Sequence, residues 1–147
     1  MESSEPASPA QRVIVHIDGG ARGNPGPAGV GVVVTDEHGA ELDRANAYIG
    51  ETTNNVAEYR ALLLGLERAR SLGAREVRIV NDSQLVERQL QGRYKVKSEM
   101  LRMLYDQARQ ALGEFERWSI ASVPRERNED ADALVNEAID AGSTTVG

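Results

Sequence analysis

Apolar positions in the first third of the 147-residue chain fall in short, β-branched runs that are typical of strands. Arg12–Asp18 (RVIVHID) predicts a first strand, Val30–Thr35 a second and Glu41–Ile49 a third. A glycine- and proline-rich stretch at 19–29 is expected to be a loop, and DEHG at 36–39 a turn. Three consecutive strands with short connections predict an antiparallel meander.

From residue 52 onward the pattern changes to helical segments that alternate with short apolar strands. The chain predicts helices at about 56–72, 82–90, 98–112 and 128–141, and strands at about 76–80 and 115–123. Thr52–Asn55, Ser98 and Asn128 are expected to cap three of these helices. The order β-β-β-α-β-α-α-β-α predicts a mixed α/β domain whose later strands pair in parallel beside an antiparallel edge.

The length of the chain allows one domain with a single core. Residues 1–11 are small, polar and proline-containing, so we expect a disordered leader there, and a flexible tail at 142–147. The domain between them spans 12–141. No apolar run is long enough to span a membrane and no charged start leads into a signal core, so we expect a cytoplasmic protein.

Composition narrows the chemistry. The chain has no cysteine, which excludes disulfides, thiolate zinc sites and cysteine nucleophiles. Its net charge of −6 argues mildly against a nucleic-acid ligand. Two effects weaken that objection: basic residues can cluster on one face, and carboxylates that hold a metal are neutralised when it binds.

Four acidic residues occupy positions that a soluble domain would normally fill differently. Glu58 lies at the N-terminal end of the buried face of the first predicted helix, and Asp132 lies on the inward face of the last one. Asp18 closes the first predicted strand and Asp82 the fourth, at the carboxyl ends where α/β sheets assemble their sites.

The helix dipole alone explains Glu58 or Asp82, but it does not explain all four acids. Two carboxylates ~5 Å apart repel by roughly 3 kcal/mol at an effective dielectric near 20, so a cluster of four indicates bound cations. Oxygen ligands without cysteine, and only two histidines in the chain, favour Mg²⁺ or Mn²⁺ over zinc.

Four motifs, in this order, resemble one known family, the type 1 ribonucleases H. They are DGGARGNPGPAGVG at 18–31, TTNNVAEYRALLLGL at 52–66, VNDSQLV at 80–86 and VPRERNEDADAL at 123–134. The resemblance covers about residues 12 to 140 and is greatest to the compact bacterial and archaeal-like branch. It implies a five-stranded mixed sheet with helices on both faces.

The resemblance also implies an activity: endonucleolytic hydrolysis of the RNA strand of RNA–DNA hybrids, leaving 5′-phosphate and 3′-hydroxyl ends. Asp18 would bridge two Mg²⁺ ions (Mn²⁺ is the alternative), Glu58 and Asp82 would share one ion with it, and Asp132 would hold the other. We expect the protein to be a monomer and to bind the hybrid. We expect no association with a membrane.

Further residues match the substrate-binding positions of the family. These are Gly19 and Gly20, where backbone could approach the RNA; the amides Asn24, Asn54, Asn55 and Gln84, which could contact the minor groove; and Thr53, which could hold a DNA-strand phosphate. Helix capping is the alternative role for Asn54 and Asn55. Asp130 rivals Asp132 as a ligand, but it lies off the inward face.

The sequence departs from the family pattern at two places. Ser122 stands where several members carry a histidine before the last helix, and Arg125 or Glu126 could take part of its role. The basic protruding helix of some members is missing. Instead Arg93, Lys95 and Lys97 alternate with other residues in an extended segment, which predicts phosphate contacts if the chain is a nuclease and a solvated loop otherwise.

Two other functions compete with this interpretation. A nucleotide-binding module would use the GNPGPAG loop, which however lacks the P-loop lysine and leads into a strand. A catalytically silent hybrid binder, or a resolvase- or integrase-like DNA nuclease, would share the fold. The four intact acids argue against a catalytically silent binder. The amides that could contact 2′-hydroxyls argue against a nuclease that acts only on DNA.

Overall fold

The computed structural model describes residues 11–144, which form five strands and four helices in the predicted order. The strands are β1 Arg12–Ala21, β2 Gly26–Thr35, β3 Glu41–Thr52, β4 Glu76–Asn81 and β5 Arg117–Ser122. The helices are α1 Asn54–Ser71, α2 Gln84–Leu90, α3 Glu99–Leu112 and α4 Glu129–Thr144, with a 3₁₀ turn at Arg125–Arg127.

The strands form one mixed sheet in the order β3-β2-β1-β4-β5. β1 pairs antiparallel with β2, and β2 with β3, so the predicted meander is confirmed. β4 lies parallel to both β1 and β5, which confirms the predicted parallel half. The parallel strands run in one direction, so β1, β4 and β5 bring their carboxyl ends to the same edge of the sheet.

The prediction of a loop at 19–29 is wrong for most of that stretch. β1 and β2 continue as a paired hairpin from Gly19 opposite Val30 to Ala21 opposite Ala28, which leaves only a short turn at 22–25. Glycine at these positions permits close packing of helices. A Cβ at Gly19 would lie 2.1 Å from the carbonyl oxygen of Ala57 in α1.

Helices cover both faces of the sheet, as predicted. α1 packs on one face, where a Cβ at Gly65 would lie 2.7 Å from Val15 and 2.9 Å from Ile17. α4 packs on the other, where a Cβ at Gly31 would lie 2.4 Å from the carbonyl oxygen of Ala131. Side chains alternate between the two faces along a strand, so Asp18, next to Ile17, points to the α4 side.

The described residues also bear on the ends of the predicted domain. Gln11, expected to belong to the leader, accepts backbone hydrogen bonds from Arg75 and Glu76. α4 continues to Thr144, three residues beyond its predicted end, so the predicted tail is helical as far as that residue. The rest of the expected leader (1–10) and tail (145–147) lies outside the described residues. No helix within 11–144 is long and apolar enough to cross a membrane.

Candidate active site

The four acids singled out in the sequence come together at the carboxyl edge of the sheet. Asp18, Glu58 and Asp82 line one small cavity, and the carboxyl of Asp18 is hydrogen-bonded to that of Asp132. Asp82 directly follows β4, as predicted. Asp18 does not close β1, because the hairpin ladder carries that strand three residues further.

The surroundings of these acids favour their protonated forms. Burial, reinforced by Asp82, Asp132 and Glu58, raises the pKa of Asp18 to about 8. Burial also raises the pKa of Glu58 to about 7, against the opposing hydrogen bond from Ser83. The pKa of Asp82 is raised by burial too, and the positive charge of Arg125 partly offsets that effect. The cluster therefore retains protons near neutral pH when no cation is bound.

The donor set of the cluster suits a hard divalent cation, since it consists of carboxylate oxygens. As they stand in residues 11–144, no three acidic or histidine side chains are arranged closely enough to hold a metal ion together. Ionised carboxylates repel one another, so these acids are expected to take up metal-ligating positions only when a cation binds. Binding a cation there would release protons, as metal binding to carboxylates generally does.

We expect the metal-free protein to lose stability as pH rises from about 4 to about 8. The folded pKa values of Asp18 (about 8) and Glu58 (about 7) exceed their ordinary values of 3.8 and 4.5. The folded state thus holds protons that the unfolded state has released, and the stabilisation present at low pH is lost across that interval. Calorimetry in a chelator should show Tm falling by about 5 °C or more between pH 5 and pH 8.

Divalent cation added at pH 8 should recover much of that loss, because it binds only the folded cluster. Asp18→Asn in the chelator should show a shallower fall than the unsubstituted protein. An equally steep fall in that variant would show that Asp18 does not carry the effect.

Ser83 supports the cluster and was missed as a site residue by the sequence analysis. Its hydroxyl donates to Oε1 of Glu58 at 3.0 Å, while its backbone N–H donates to Oδ1 of Asn81 at 2.7 Å. It also caps α2 by accepting from Val86 N, so the helix begins two residues later than predicted. Its place directly after Asp82 was the available signal.

Asn128 stands at the predicted cap position directly before α4, but its side chain connects other parts of the site instead of capping the helix. Its Nδ2 donates to the carbonyl oxygen of Ile17 at 2.8 Å, and its side chain also hydrogen-bonds to Asp82. Its own carbonyl accepts from Asp132 N at 3.1 Å. Oδ1, the atom that a capping asparagine would use, is buried and accepts no hydrogen bond among the described residues. Asn128 thus touches the strand, loop and helix that carry Asp18, Asp82 and Asp132.

Part of the predicted substrate-binding set forms a second group beside the acids. Oδ1 of Asn54 accepts from Ala21 N at 2.8 Å, and Oδ1 of Asn24 accepts from Asn54 N at 3.1 Å. Thr53 caps α1 by accepting from Val56 N. Capping is thus done by Thr53, and Asn54 ties the β1–β2 hairpin to α1.

Three further members of that set lie nearby. Asn55 is half-buried in the first turn of α1. Gly20 faces Asn54, because a Cβ there would lie 3.9 Å from its Oδ1. Gly19 is accounted for by packing against α1, whatever contact its backbone makes with a substrate.

An open cleft next to Asp82 contains several of the remaining candidates. Gln84, Ser122 and Arg125 line it, and Arg125 lowers the pKa of Asp82 through its charge. The hydroxyl of Ser122 donates to Oε1 of Glu87 in α2 at 2.8 Å. Glu126 is not among the lining residues of this cleft.

Glu126 and Asp130 line a separate cavity with His16 and Thr35. Burial lowers the pKa of His16 there, against the opposing charge of Asp130. Asp130 is not among the groups that raise the pKa of Asp18, whereas Asp132 is. Asp132 is therefore the acid of α4 that lies with Asp18, and its choice over Asp130 as a metal ligand stays a prediction.

Arg93, Lys95 and Lys97 lie between α2 and α3 with exposed side chains. Their segment starts beyond the far end of α2, whose seven residues span about 10 Å, so it is not part of the acid cluster. The predicted extended conformation is not found at its start, because the backbone N–H groups of Arg93 and Tyr94 both donate to the carbonyl of Arg88 and bend the chain, and residues 95–97 have no regular secondary structure.

Comparison with known proteins gives consistent matches. A family model described as reverse transcriptase-like matches residues 16–138. The bifunctional protein Rv2228c of Mycobacterium tuberculosis is 49% identical over 133 residues, and ribonuclease HI of Halobacterium salinarum is 46% identical over 129. The alignments cover 90% and 88% of this chain. The chain spans only 36% of the first relative's length and 65% of the second's.

Solved structures with a similar fold include proteins of the same kind as those relatives. The crystal structure of the Halobacterium salinarum enzyme has a TM-score of 0.86 at 46% identity, and the match covers 88% of this chain and 98% of that one. The crystal structure of LC11-RNase H1 in complex with an RNA/DNA hybrid has a TM-score of 0.86 at 48% identity, covering 90% and 99%.

The family match, the sequence identities and the shared fold all define one class of protein, a ribonuclease H-like domain. The chain belongs to the ribonuclease H family, among the type 1 members of the compact bacterial and archaeal-like kind. The family and the fold predicted from the sequence are thereby confirmed.

Proposed function

We propose that this domain is a metal-dependent endoribonuclease that hydrolyses the RNA strand of RNA–DNA hybrids, leaving 5′-phosphate and 3′-hydroxyl ends. The convergence of Asp18, Glu58, Asp82 and Asp132 from four separate parts of the chain carries the proposal. A cluster that repels itself in the absence of cations costs stability, so a role in binding them explains its existence. The LC11 enzyme, with nearly half its residues identical, was solved in complex with an RNA/DNA hybrid, and this supports the substrate.

Two Mg²⁺ ions, or Mn²⁺, would be held by the carboxylates of Asp18, Glu58, Asp82 and Asp132. Bound there, the cations would supply Lewis acidity toward the scissile phosphate and would make an attacking water more acidic. Ser83 orients the carboxylate of Glu58, and Asn128 holds Asp82 relative to the strand that carries Asp18. The guanidinium of Arg125, beside Asp82, is available to a phosphate oxygen in the same cleft.

Selection of RNA would depend on the polar groups next to the acids. Only 2′-hydroxyl groups distinguish the RNA strand, and amides can both donate to them and accept from them. The Asn24–Asn54 pair is held by the hairpin and α1, and Gln84 is exposed in the cleft beside Asp82. These amides therefore flank the acid cluster, where they could contact a bound hybrid.

One assay tests the proposal: cleavage of a hybrid, a double-stranded RNA and a DNA duplex of equal sequence, with and without Mg²⁺ or Mn²⁺. We expect cation-dependent cuts in the RNA strand of the hybrid, with 3′-hydroxyl ends that a polymerase can extend. Cleavage of the DNA duplex, or equal activity in a chelator, would contradict the proposal.

Charge reversal tests the basic segment. Changing Arg93, Lys95 and Lys97 together to glutamate should weaken hybrid affinity and leave metal dependence unchanged. Each phosphate that the variant no longer neutralises should reduce the log–log salt slope by about 0.7–0.9. Binding measured from 50 to 200 mM salt would show it, and an unchanged slope would mean that the segment only faces solvent.

A control for the charge change alone is the triple reversal of Arg70, Arg75 and Arg117, of which Arg70 and Arg75 form exposed ion pairs with Glu114 and Glu116. These arginines are exposed at the opposite end of the sheet, where β4 and β5 begin. The control should leave the salt slope within error of the unsubstituted protein.

The cytoplasmic location and monomeric state expected from the sequence stay predictions.

A further inference from the structure

A chain of two hydrogen bonds, the first buried and the second partly buried, connects α1 to the exposed basic segment. Tyr59 is fully buried, and its hydroxyl donates to Oε1 of Gln89 at 2.6 Å. Gln89, only 5% exposed, donates through Nε2 to the carbonyl oxygen of Lys95 at 3.3 Å. Tyr59 directly follows Glu58 in α1, so the chain runs from the helix that carries a cluster acid to the middle of the basic segment.

A second set of contacts holds the start of the same segment. The N–H groups of Arg93 and Tyr94 donate to the carbonyl of Arg88 at 2.8 and 3.3 Å. The guanidinium of Arg88 donates to the hydroxyl of Tyr94 at 2.8 Å and lies 5.5 Å from the centre of its ring. The backbone of this segment is therefore anchored at two points while its cationic side chains remain exposed.

The cationic side chains of the anchored segment are not neutralised by nearby acids. Across the part of the chain that the structure describes, no ion pair involves Arg93, Lys95 or Lys97, although acids outnumber bases overall. Buried polar groups must be hydrogen-bonded, and here Gln89 satisfies that need by bonding to an otherwise solvent-facing segment. The same bond fixes the backbone of a segment whose cationic side chains stay exposed.

We infer that Gln89 is a positioning residue for hybrid binding: by joining Tyr59 to the backbone of Lys95, it holds the basic segment at a fixed distance from the acid cluster. The inference rests on the proposed function and extends it. A segment already ordered before binding loses less conformational freedom when it contacts phosphates, which favours affinity without altering the chemical step.

Gln89→Met tests the inference, because it keeps a side chain of similar length and removes both hydrogen bonds. We expect KM for the hybrid to rise about three- to tenfold, as expected for losing one or two such bonds, with kcat and the Mg²⁺ dependence unchanged. The log–log salt slope should flatten by about 0.7–0.9 for each phosphate that the segment no longer neutralises. Hydrogen exchange of the Arg93 and Tyr94 amides should accelerate in the free protein.

Arg68→Met is the control for general destabilisation. It removes the paired hydrogen bonds of 2.6 and 2.9 Å from Arg68 to Asp43, which connect α1 to β3 away from the segment, and should leave KM and the slope unchanged. If Gln89→Met does not fold, Tyr59→Phe, which removes only the first bond, is expected to show the same changes to a smaller degree.

An unchanged KM in the folded variant, or a fall in kcat without a rise in KM, would overturn the inference. The dissociation constant for a hybrid in chelator distinguishes it from the proposed function. If the unsubstituted protein binds the hybrid and cuts no RNA, only the proposed function fails, and the effect of Gln89→Met on that constant still decides the role of Gln89. Absence of any hybrid binding would overturn both.

Discussion

Replacing Asp18 by asparagine is expected to reduce hybrid cleavage by about a thousandfold or more while the domain stays folded. Asp18 is the acid whose pKa responds to all three of the others, so it lies at the centre of the cluster. Loss of several kcal/mol of charge stabilisation at a metal site slows a reaction tenfold for each ~1.4 kcal/mol. Cleavage of a labelled hybrid in saturating Mg²⁺ measures the effect, and circular dichroism checks the fold.

Asp130→Asn is the matched control, because it removes a carboxylate from the same helix as Asp132. Asp130 faces the cavity of His16 and Thr35, so its loss should leave cleavage near the unsubstituted level. Near-normal cleavage by Asp18→Asn, or a large loss in Asp130→Asn alone, would mean that the cluster has been assigned to the wrong acids.

The order of the elements was predictable because hydrophobic period and capping residues are local properties. Thr53 and Ser98 cap their helices as the sequence suggested. The hairpin at 19–29 was missed because its glycines look like a loop when considered locally. Their role depends on the folded structure, in which Gly19 and Gly29 let α1 and α4 approach the sheet from opposite sides.

The acids were predictable for a different reason. A carboxylate on the buried face of a helix conflicts with the surrounding apolar pattern. For Glu58 and Asp132 that conflict can be recognised from the neighbouring residues in the sequence. Supporting residues create no such conflict. Asn128 before a helix is typical of a cap, and Gln89 looks like any polar residue of a short helix. Their roles depend on contacts with Ile17 and Tyr59, which are distant in sequence.

The second large effect is expected from Ser122→His, which should raise the Mg²⁺-dependent rate about a hundredfold or somewhat less. General acid–base assistance is worth about 10²–10⁴-fold, and serine cannot supply it near neutral pH. Ser122 lines the cleft beside Asp82, and its hydroxyl donates to Glu87. An imidazole at position 122 could donate to the carboxylate of Glu87. The negative charge of that carboxylate would favour the imidazolium form, so the imidazole could still donate a proton above pH 6.5.

The pH–rate profile provides the measurement, because the variant should show a new inflection near the range of an imidazole. Ser122→His combined with Glu87→Gln should move that inflection to lower pH, since the carboxylate that favours imidazolium is gone. Arg125→Ala and Glu126→Gln show whether a native side chain already assists, and we expect the larger loss at Arg125, which lies beside Asp82. If Ser122→His brings no gain and both neighbouring variants keep full activity, no protein side chain in this loop transfers protons, and our interpretation of the loop is wrong.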